Sequence, residues 1–247
     1  MNYEEFVAGK ILKLTDAGFE PNPMTVPAFD WQKKIIEWAI RKGRAALFED
    51  CGLGKTLQQL EWAHQVAQHT GGAVLILAPL AVAEQTVEEG AKFGVSVRLC
   101  HQPEDVPQQG VAITNYDRLE LFEELVPRLA GVVLDESSIL KAFNGRTRGE
   151  ITRVFARTPY KLACTATPSP NDLMELGNHA EFLGVMTAPQ MLATWFINDT
   201  ADTGTWRLKK HAKDAFWRWV ATWAACVSNP RDLGYVCDGY DLPPLCM

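Results

Sequence analysis

Six short apolar runs set the strongest limit on what this chain can fold into. They lie at 45–48, 73–78, 95–99, 111–114, 131–134 and 161–165, and they are rich in Val, Ile, Leu and Ala. Each is too short for a helix, and near-continuous apolar character fits a strand buried on both faces. Between several of them lie amphipathic helical patterns, such as 57–68 and 82–93. Alternation of strand and helix predicts an α/β fold: a central, mostly parallel sheet with helices on both sides. The run at 95–99 follows a helix closely, so the strand order stays open.

The sharpest local pattern is Phe48-Glu49-Asp50-Cys51-Gly52-Leu53-Gly54-Lys55-Thr56. It follows one apolar run and opens a helix, which is the setting a phosphate-binding loop requires. Gly52 and Gly54 allow backbone N–H groups to turn onto a phosphate with no Cβ in the way. The helix beginning near Lys55 adds the positive end of its dipole. In such a loop Lys55 reaches the β- and γ-phosphates and the Thr56 hydroxyl coordinates Mg²⁺. The general pattern places Gly where this chain has Glu49, and an ordinary glycine-rich turn is the plain alternative.

A second pattern, Val132-Val133-Leu134-Asp135-Glu136-Ser137-Ser138, ends an apolar run on two carboxylates. Strand C-termini are where α/β sheets bind ligands. Beside a phosphate loop, Asp135 would hold the Mg²⁺ shell and Glu136 would orient and deprotonate an attacking water. By itself an Asp-Glu pair after a strand reads as a solvated loop.

In order along the chain these residues resemble the first, RecA-like lobe of superfamily-2 helicases of the SWI/SNF type. Asp50–Thr56 is similar to motif I, whose loop reads Asp-Glu-Met-Gly-Leu-Gly-Lys-Thr, a branch that lacks the outer glycine. Phe29-Asp30-Trp31-Gln32 stands where the adenine-reading Q motif stands, which nominates Gln32. Leu77-Ala78-Pro79-Leu80 resembles motif Ia, and Thr114-Asn115-Tyr116 resembles motif Ib. These imply nucleic-acid contacts at Pro79, Thr114 and Asn115. Asp135-Glu136-Ser137-Ser138 is similar to the DEAH box, with Ser137 and Ser138 in place of Ala-His. Leu162-Ala163-Cys164-Thr165-Ala166-Thr167-Pro168 resembles motif III, which implies a coupling role for Thr165 and Thr167. The resemblance implies ATP bound by Gln32, Gly52, Leu53, Gly54, Lys55 and Thr56, and Mg²⁺ at Thr56 and Asp135. It implies catalysis by Lys55, Asp135 and Glu136, and movement along nucleic acid, double-stranded DNA above all.

The same family works with two lobes, ATP lying between them. The resemblance therefore implies a second RecA-like lobe as partner, and slow hydrolysis by this chain alone. The tail, including Asp232-Leu233-Gly234-Tyr235 and Asp241-Leu242-Pro243-Pro244, looks like a linker in bacteriophage-encoded members. The expected partition is an N-terminal helical extension over 1–28, the ATP-binding lobe over 29–184, a helical aromatic and basic segment over 185–230, and a linker over 231–247. The first of these carries a helix at 3–17, then a stretch broken by Pro21, Pro23 and Pro27.

The segment 185–230 holds five of the eight tryptophans and a basic cluster of Arg207, Lys209, Lys210, His211, Lys213 and Arg218. Residues 215–224 read as a helix with Phe216, Trp219, Val220 and Trp223 on one stripe. That stripe either packs on the lobe or stacks single-stranded bases. Asn144, Arg146 and Arg148 follow the acidic pair and face either a phosphate backbone, the partner lobe or solvent. The histidines are dispersed, which favours packing over metal binding, and Cys51 reads as a small spacer. The net charge of −6 counts mildly against a protein that coats nucleic acid, and does not exclude a motor with one basic strip. The six cysteines form no C-x-x-C pair, no apolar run is long enough to span a bilayer, and the N-terminus lacks a signal peptide. Reduced thiols in a bacterial or phage-infected cytoplasm are the expectation. Two other functions stay open from the residues: a regulatory module that binds ATP without turnover, and a P-loop kinase.

Overall fold

The computed structural model describes residues 16–141, 145–169, 172–198, 206–236 and 240; of Lys141 and 145–147 it describes the backbone alone. The expected N-terminal helix therefore lies outside the described residues, apart from its last two positions. So do Asn144, the Arg146 side chain and Asp241–Pro244.

The order is α1 (Asp30–Lys42), β1 (Arg44–Glu49), α2 (Lys55–Thr70), β2 (Ala73–Ala78), α3 (Leu80–Phe93), β3 (Val97–Leu99) and β4 (Gly110–Asn115). Then follow α4 (Leu119–Phe122), β5 (Leu129–Asp135), α5 (Gly145–Val154), β6 (Tyr160–Thr165), α6 (Leu176–Leu183) and α7 (Ala188–Trp195). The last elements are β7 (Phe196–Asn198), β8 (Trp206–Leu208), α8 (Lys213–Val220) and β9 (Ala224–Val227). Seven strands form one sheet in the order β3-β4-β2-β5-β6-β1-β9. Every neighbouring pair in it is parallel. All six expected strands are present.

The pleat explains the three layers. Successive side chains of a strand point to opposite faces, so each apolar run feeds two cores. Ala45, Leu47, Val74, Ile76, Val133 and Leu162 join one core with Trp31, Ile36 and Ile40 of α1 and Leu60, Ala63 and Val66 of α2. Ala46, Phe48, Leu75, Leu77, Val132 and Ala163 join the other, with side chains of α4 to α8. Helix α1 ends at Gly43, whose N–H bonds the carbonyls of Ala39 and Ile40. The proline-rich stretch before α1 runs extended along α2. Glu61 accepts from the Thr25 hydroxyl at 2.5 Å, and Gln65 accepts from Asn22 N–H at 2.8 Å.

The structure corrects the reading of 215–224 as one helix. Helix α8 ends at Val220, and Ala224 opens β9, which pairs with β1 along Ala46–Glu49. The switch occurs because the edge of β1 needs partners: Trp223 O accepts from Ala46 N–H at 2.9 Å. The helical character expected of 185–230 is shared with β9 and the antiparallel β7–β8 pair.

The Trp stripe is core. Phe216, Trp219, Val220 and Trp223 are buried. Trp195, Phe216, Trp219 and Trp223 form a chain of rings with centroids 5.4–6.1 Å apart. Trp223 then meets Phe48 of β1 edge-on at 5.9 Å. Arrays of this kind add stabilisation beyond their buried area. The stacking alternative for this stripe is thereby excluded, since its rings have no accessible face.

Trp223→Ala is expected to cost about 3–5 kcal/mol, the range for large buried aromatics. Trp217→Ala, on the exposed side of α8, should cost less than about 1 kcal/mol. Denaturant unfolding of both variants checks the pair; equal losses would contradict the packing described.

Candidate functional site

Because the sheet is parallel throughout, the C-terminal ends of its strands share one edge. The loop 50–56 leaves β1, Pro79 follows β2, Asn115 ends β4, Asp135 ends β5 and Thr165 ends β6. Strand β6 lies between β1 and β5, with Thr165 opposite Phe48 on one side and Cys164 opposite Asp135 on the other. The phosphate-loop candidate and the acidic pair thus flank Thr165.

The loop has the backbone a phosphate cradle needs. Gly52 and Gly54 take φ of 84° and 80°, the left-handed region that glycine enters without strain. A Cβ at Gly54 would sit 2.5 Å from the Gln32 amide nitrogen. Gly54 is also the residue that caps α2, so Lys55 and Thr56 begin the helix. The Lys55 ammonium crosses the loop and donates to the carbonyls of Glu49 at 2.7 Å and Asp50 at 2.9 Å. Gln32, from the first turn of α1, is buried: its Oε1 accepts from Phe29 N–H and its Nε2 donates to Leu53 O, both at 2.9 Å.

The acidic pair is held from two sides. Glu136 has φ of 54°, a conformation that costs a non-glycine residue about 1–2 kcal/mol. The Thr165 hydroxyl donates to Glu136 Oε1 at 2.8 Å, while Thr167 N–H donates to that same hydroxyl at 3.1 Å. The peptide before Glu136 is fixed by Tyr116, whose phenol donates to Asp135 O at 2.8 Å. Burial, and then the neighbouring Glu136 charge, raise the Asp135 carboxyl above its ordinary value. A carboxyl held in that way favours a nearby cation.

Of the expected nucleic-acid residues, Pro79 is half-buried, whereas Thr114 and Asn115 are 1 % and 8 % exposed. Arg148 donates to Asn178 Oδ1 at 2.8 Å. Ser137, in the family's Ala position, bonds His179 Nε2 at 3.1 Å, and both are buried. Within the basic cluster, Lys209 donates to the Ala193 and Thr194 carbonyls at the end of α7.

Three residues at this edge carried no role in the sequence reading. Tyr116 was part of the motif Ib resemblance without a task. Glu49 was noted for the glycine it replaces, yet it is fully buried and accepts from Gln58 Nε2 at 2.7 Å. Gln58 lies on a helix that also buries Gln59, Glu61 and Gln65. Polar residues on a helix face buried against a sheet need partners, and that pattern was the available clue.

The family model described as SNF2-related domain matches residues 31–222. The chain belongs to this family. The Sulfolobus solfataricus SWI2/SNF2 ATPase core in complex with double-stranded DNA has a similar fold, with a TM-score of 0.68 at 18 % identity. That likeness covers 84 % of this SNF2-related chain and 46 % of the other. The Sulfolobus solfataricus SWI2/SNF2 ATPase core domain matches at 0.65 and 20 % identity, over 84 % and 45 % of the two chains. The UvsW helicase from bacteriophage T4 matches at 0.53 and 13 % identity, over 76 % and 66 %. The chain spans a little under half of the Sulfolobus structures. No curated protein sequence matches it. Among the described residues no helix is long and apolar enough to cross a membrane.

Burial pushes the Glu49 carboxyl from 4.5 up to about 7. The folded chain then holds this proton more tightly than the unfolded chain does. Its contribution to stability is whole below about pH 4.5 and lost as pH rises through about 7. The loss amounts to about 3 kcal/mol by linkage. Glu49→Gln should therefore lose less stability than the parent chain between pH 5 and pH 8. Denaturant midpoints at the two pH values check this, and parallel pH profiles would refute it.

Proposed function

We propose that this chain is the ATP-binding lobe of an ATP-driven translocase or helicase acting on double-stranded DNA, completed by a second RecA-like lobe. One observation carries the reading: β6 brings Thr165 into hydrogen-bond contact with Glu136 between the phosphate loop and Asp135, inside the stretch that matches the family.

The residues present fit a Mg·ATP. Gly52 and Gly54 supply a concave backbone, Lys55 is within reach of the phosphates, and Thr56 with Asp135 offers the oxygen ligands that Mg²⁺ prefers. Gln32 stands beside the loop where an adenine reader would stand. When bound, Mg²⁺ neutralises charge on the phosphate oxygens. Lys55 turns from the Glu49 and Asp50 carbonyls to the β- and γ-phosphates. Glu136 accepts the proton of a water whose oxygen bonds the γ-phosphorus, while the bond to the β,γ-bridging oxygen breaks and ADP leaves. Thr165 keeps Glu136 on that water, and Thr167 holds Thr165.

The remaining charge stabilisation comes from the partner lobe. Arginine fingers are worth about 10³–10⁵ in rate in related enzymes. Among the described arginines, Arg148 is engaged with Asn178, and Arg153 pairs with Glu123 on the surface. DNA lies along the other half of the same edge, past the half-buried Pro79, while the buried Thr114 and Asn115 support that edge and do not touch a DNA strand. Tyr116 follows these residues directly and touches Asp135, so strand position and the catalytic carboxylates share a connection. The double-stranded track is supported by the DNA in the Sulfolobus complex.

Lys55→Ala is expected to abolish Mg·ATP binding in calorimetry. Glu136→Gln should bind ATP normally and, joined to a second lobe, lose at least about 10²-fold in turnover, because an amide cannot accept the proton. Normal turnover in Glu136→Gln would remove that residue from the role of base.

A further inference from the structure

Loops of the type Gly-Leu-Gly have little stiffness of their own. Gly54 can rotate between left- and right-handed conformations at small cost, and each rotation turns the neighbouring peptide N–H toward or away from the ligand. A site that binds phosphate through backbone N–H groups therefore needs something outside the loop to hold the peptides still.

The structure shows such a hold at the Leu53–Gly54 peptide. Leu53 O accepts from Gln58 Nε2 at 3.2 Å as well as from Gln32 Nε2 at 2.9 Å, and all of these groups are buried. In a planar trans peptide the carbonyl and the following N–H point in opposite directions. With Leu53 O turned inward onto two amides, the Gly54 N–H is turned outward, to the side of the loop opposite the two glutamines. The Gln58 amide is itself set by Glu49, whose Oε2 takes the same Nε2 at 2.7 Å. Glu49 ends β1, and Gln58 lies in the first turns of α2. The contact therefore closes the base of the loop between its two rigid flanks. Both partners of the Glu49–Gln58 pair are fully buried, so water does not compete for the bond. Burial of a carboxyl under an anion site is costly by itself, and its bond to Gln58 gives that placement a purpose.

We infer that Glu49 and Gln58 form a buried clamp that presents the Gly54 N–H to the phosphates, which makes both of them positioning residues of the nucleotide site. The inference rests on the nucleotide reading above. It concerns how the loop is held, so it extends beyond the residues that touch ligand.

The test uses the full chain, Mg·ATP calorimetry and the ¹H–¹⁵N signal of Gly54. Gln58→Met, close in volume but without the amide, should weaken ATP binding about tenfold or more. Its Gly54 signal should no longer make the shift on ATP addition that the parent shows. Glu49→Leu should lose about threefold or more, and Glu49→Gln, which keeps an acceptor for the Gln58 amide, should recover most of that loss. Parent-like affinity and a parent-like Gly54 shift in Gln58→Met would overturn the clamp. Should Gln58→Met fail to fold, the Glu49 pair decides: no loss in Glu49→Leu, or no recovery in Glu49→Gln, overturns it equally. Lys55→Ala separates the two levels of the argument. If it binds ATP like the parent, the nucleotide site itself is wrong. If it does not bind while Gln58→Met does, the clamp alone is wrong.

Discussion

The placement of β6 between β1 and β5, with all three strands parallel, is the constraint on which the rest of the site depends. Parallel pairing puts all C-termini at one edge, and pairing in this order sets one hydroxyl, that of Thr165, between the loop after β1 and the carboxylates after β5. Were β1 and β5 direct neighbours, Thr165 would stand aside and Glu136 would lose its 2.8 Å partner. The left-handed backbone of Glu136 belongs to the same arrangement. Strain of this kind persists where surrounding bonds over-determine it, and here Tyr116 fixes one side of the residue while Thr165 fixes its carboxylate.

The aromatic layer stabilises that edge from beneath. Phe48 of β1 packs edge-on against both Trp223 and His179. His179 in turn bonds Ser137, immediately after the acidic pair. A buried ring cluster, a buried Ser–His pair and the phosphate loop thus converge on the last residues of β1. On the other face, α2 carries polar side chains inward, and among them Gln58 donates to both Glu49 of β1 and the Leu53 carbonyl of the loop. Ser137 gives the buried His179 Nε2 a hydrogen-bond partner.

Much of the fold was legible in the sequence because a strand buried on both faces must be apolar throughout. That is a strong and local requirement, met at 73–78 and 131–134 with almost no exception. The seventh strand escaped notice for a physical reason. Ala224–Val227 follows an aromatic helix after three residues, and its alanines suit either structure. Pairing with the free edge of β1 settles the matter, and no short-range pattern records that edge. The β7–β8 pair has three residues a side and was hidden by the same brevity. At the site, the left-handed backbone of Gly52 and Gly54 and the gathering of Lys55, Asp135 and Glu136 at one sheet edge were legible because the roles proposed for them demand those residue types at that spacing. Glu49, Gln58 and Tyr116 act on other residues, through contacts that only the folded chain creates, and so their types alone announced nothing.

Amide hydrogen exchange with and without Mg·ATP tests the central claim most directly, namely that the edge formed by β1, β6 and β5 binds the nucleotide. Slower exchange is expected at 51–57 and at 135–137 when Mg·ATP is added, with residues 188–198 and 206–220 unchanged, because the latter belong to the aromatic layer and the β7–β8 pair and not to the C-terminal edge of β1, β6 and β5. Protection confined to the β7–β8 region, or none at 51–57 at saturating Mg·ATP, would contradict the account.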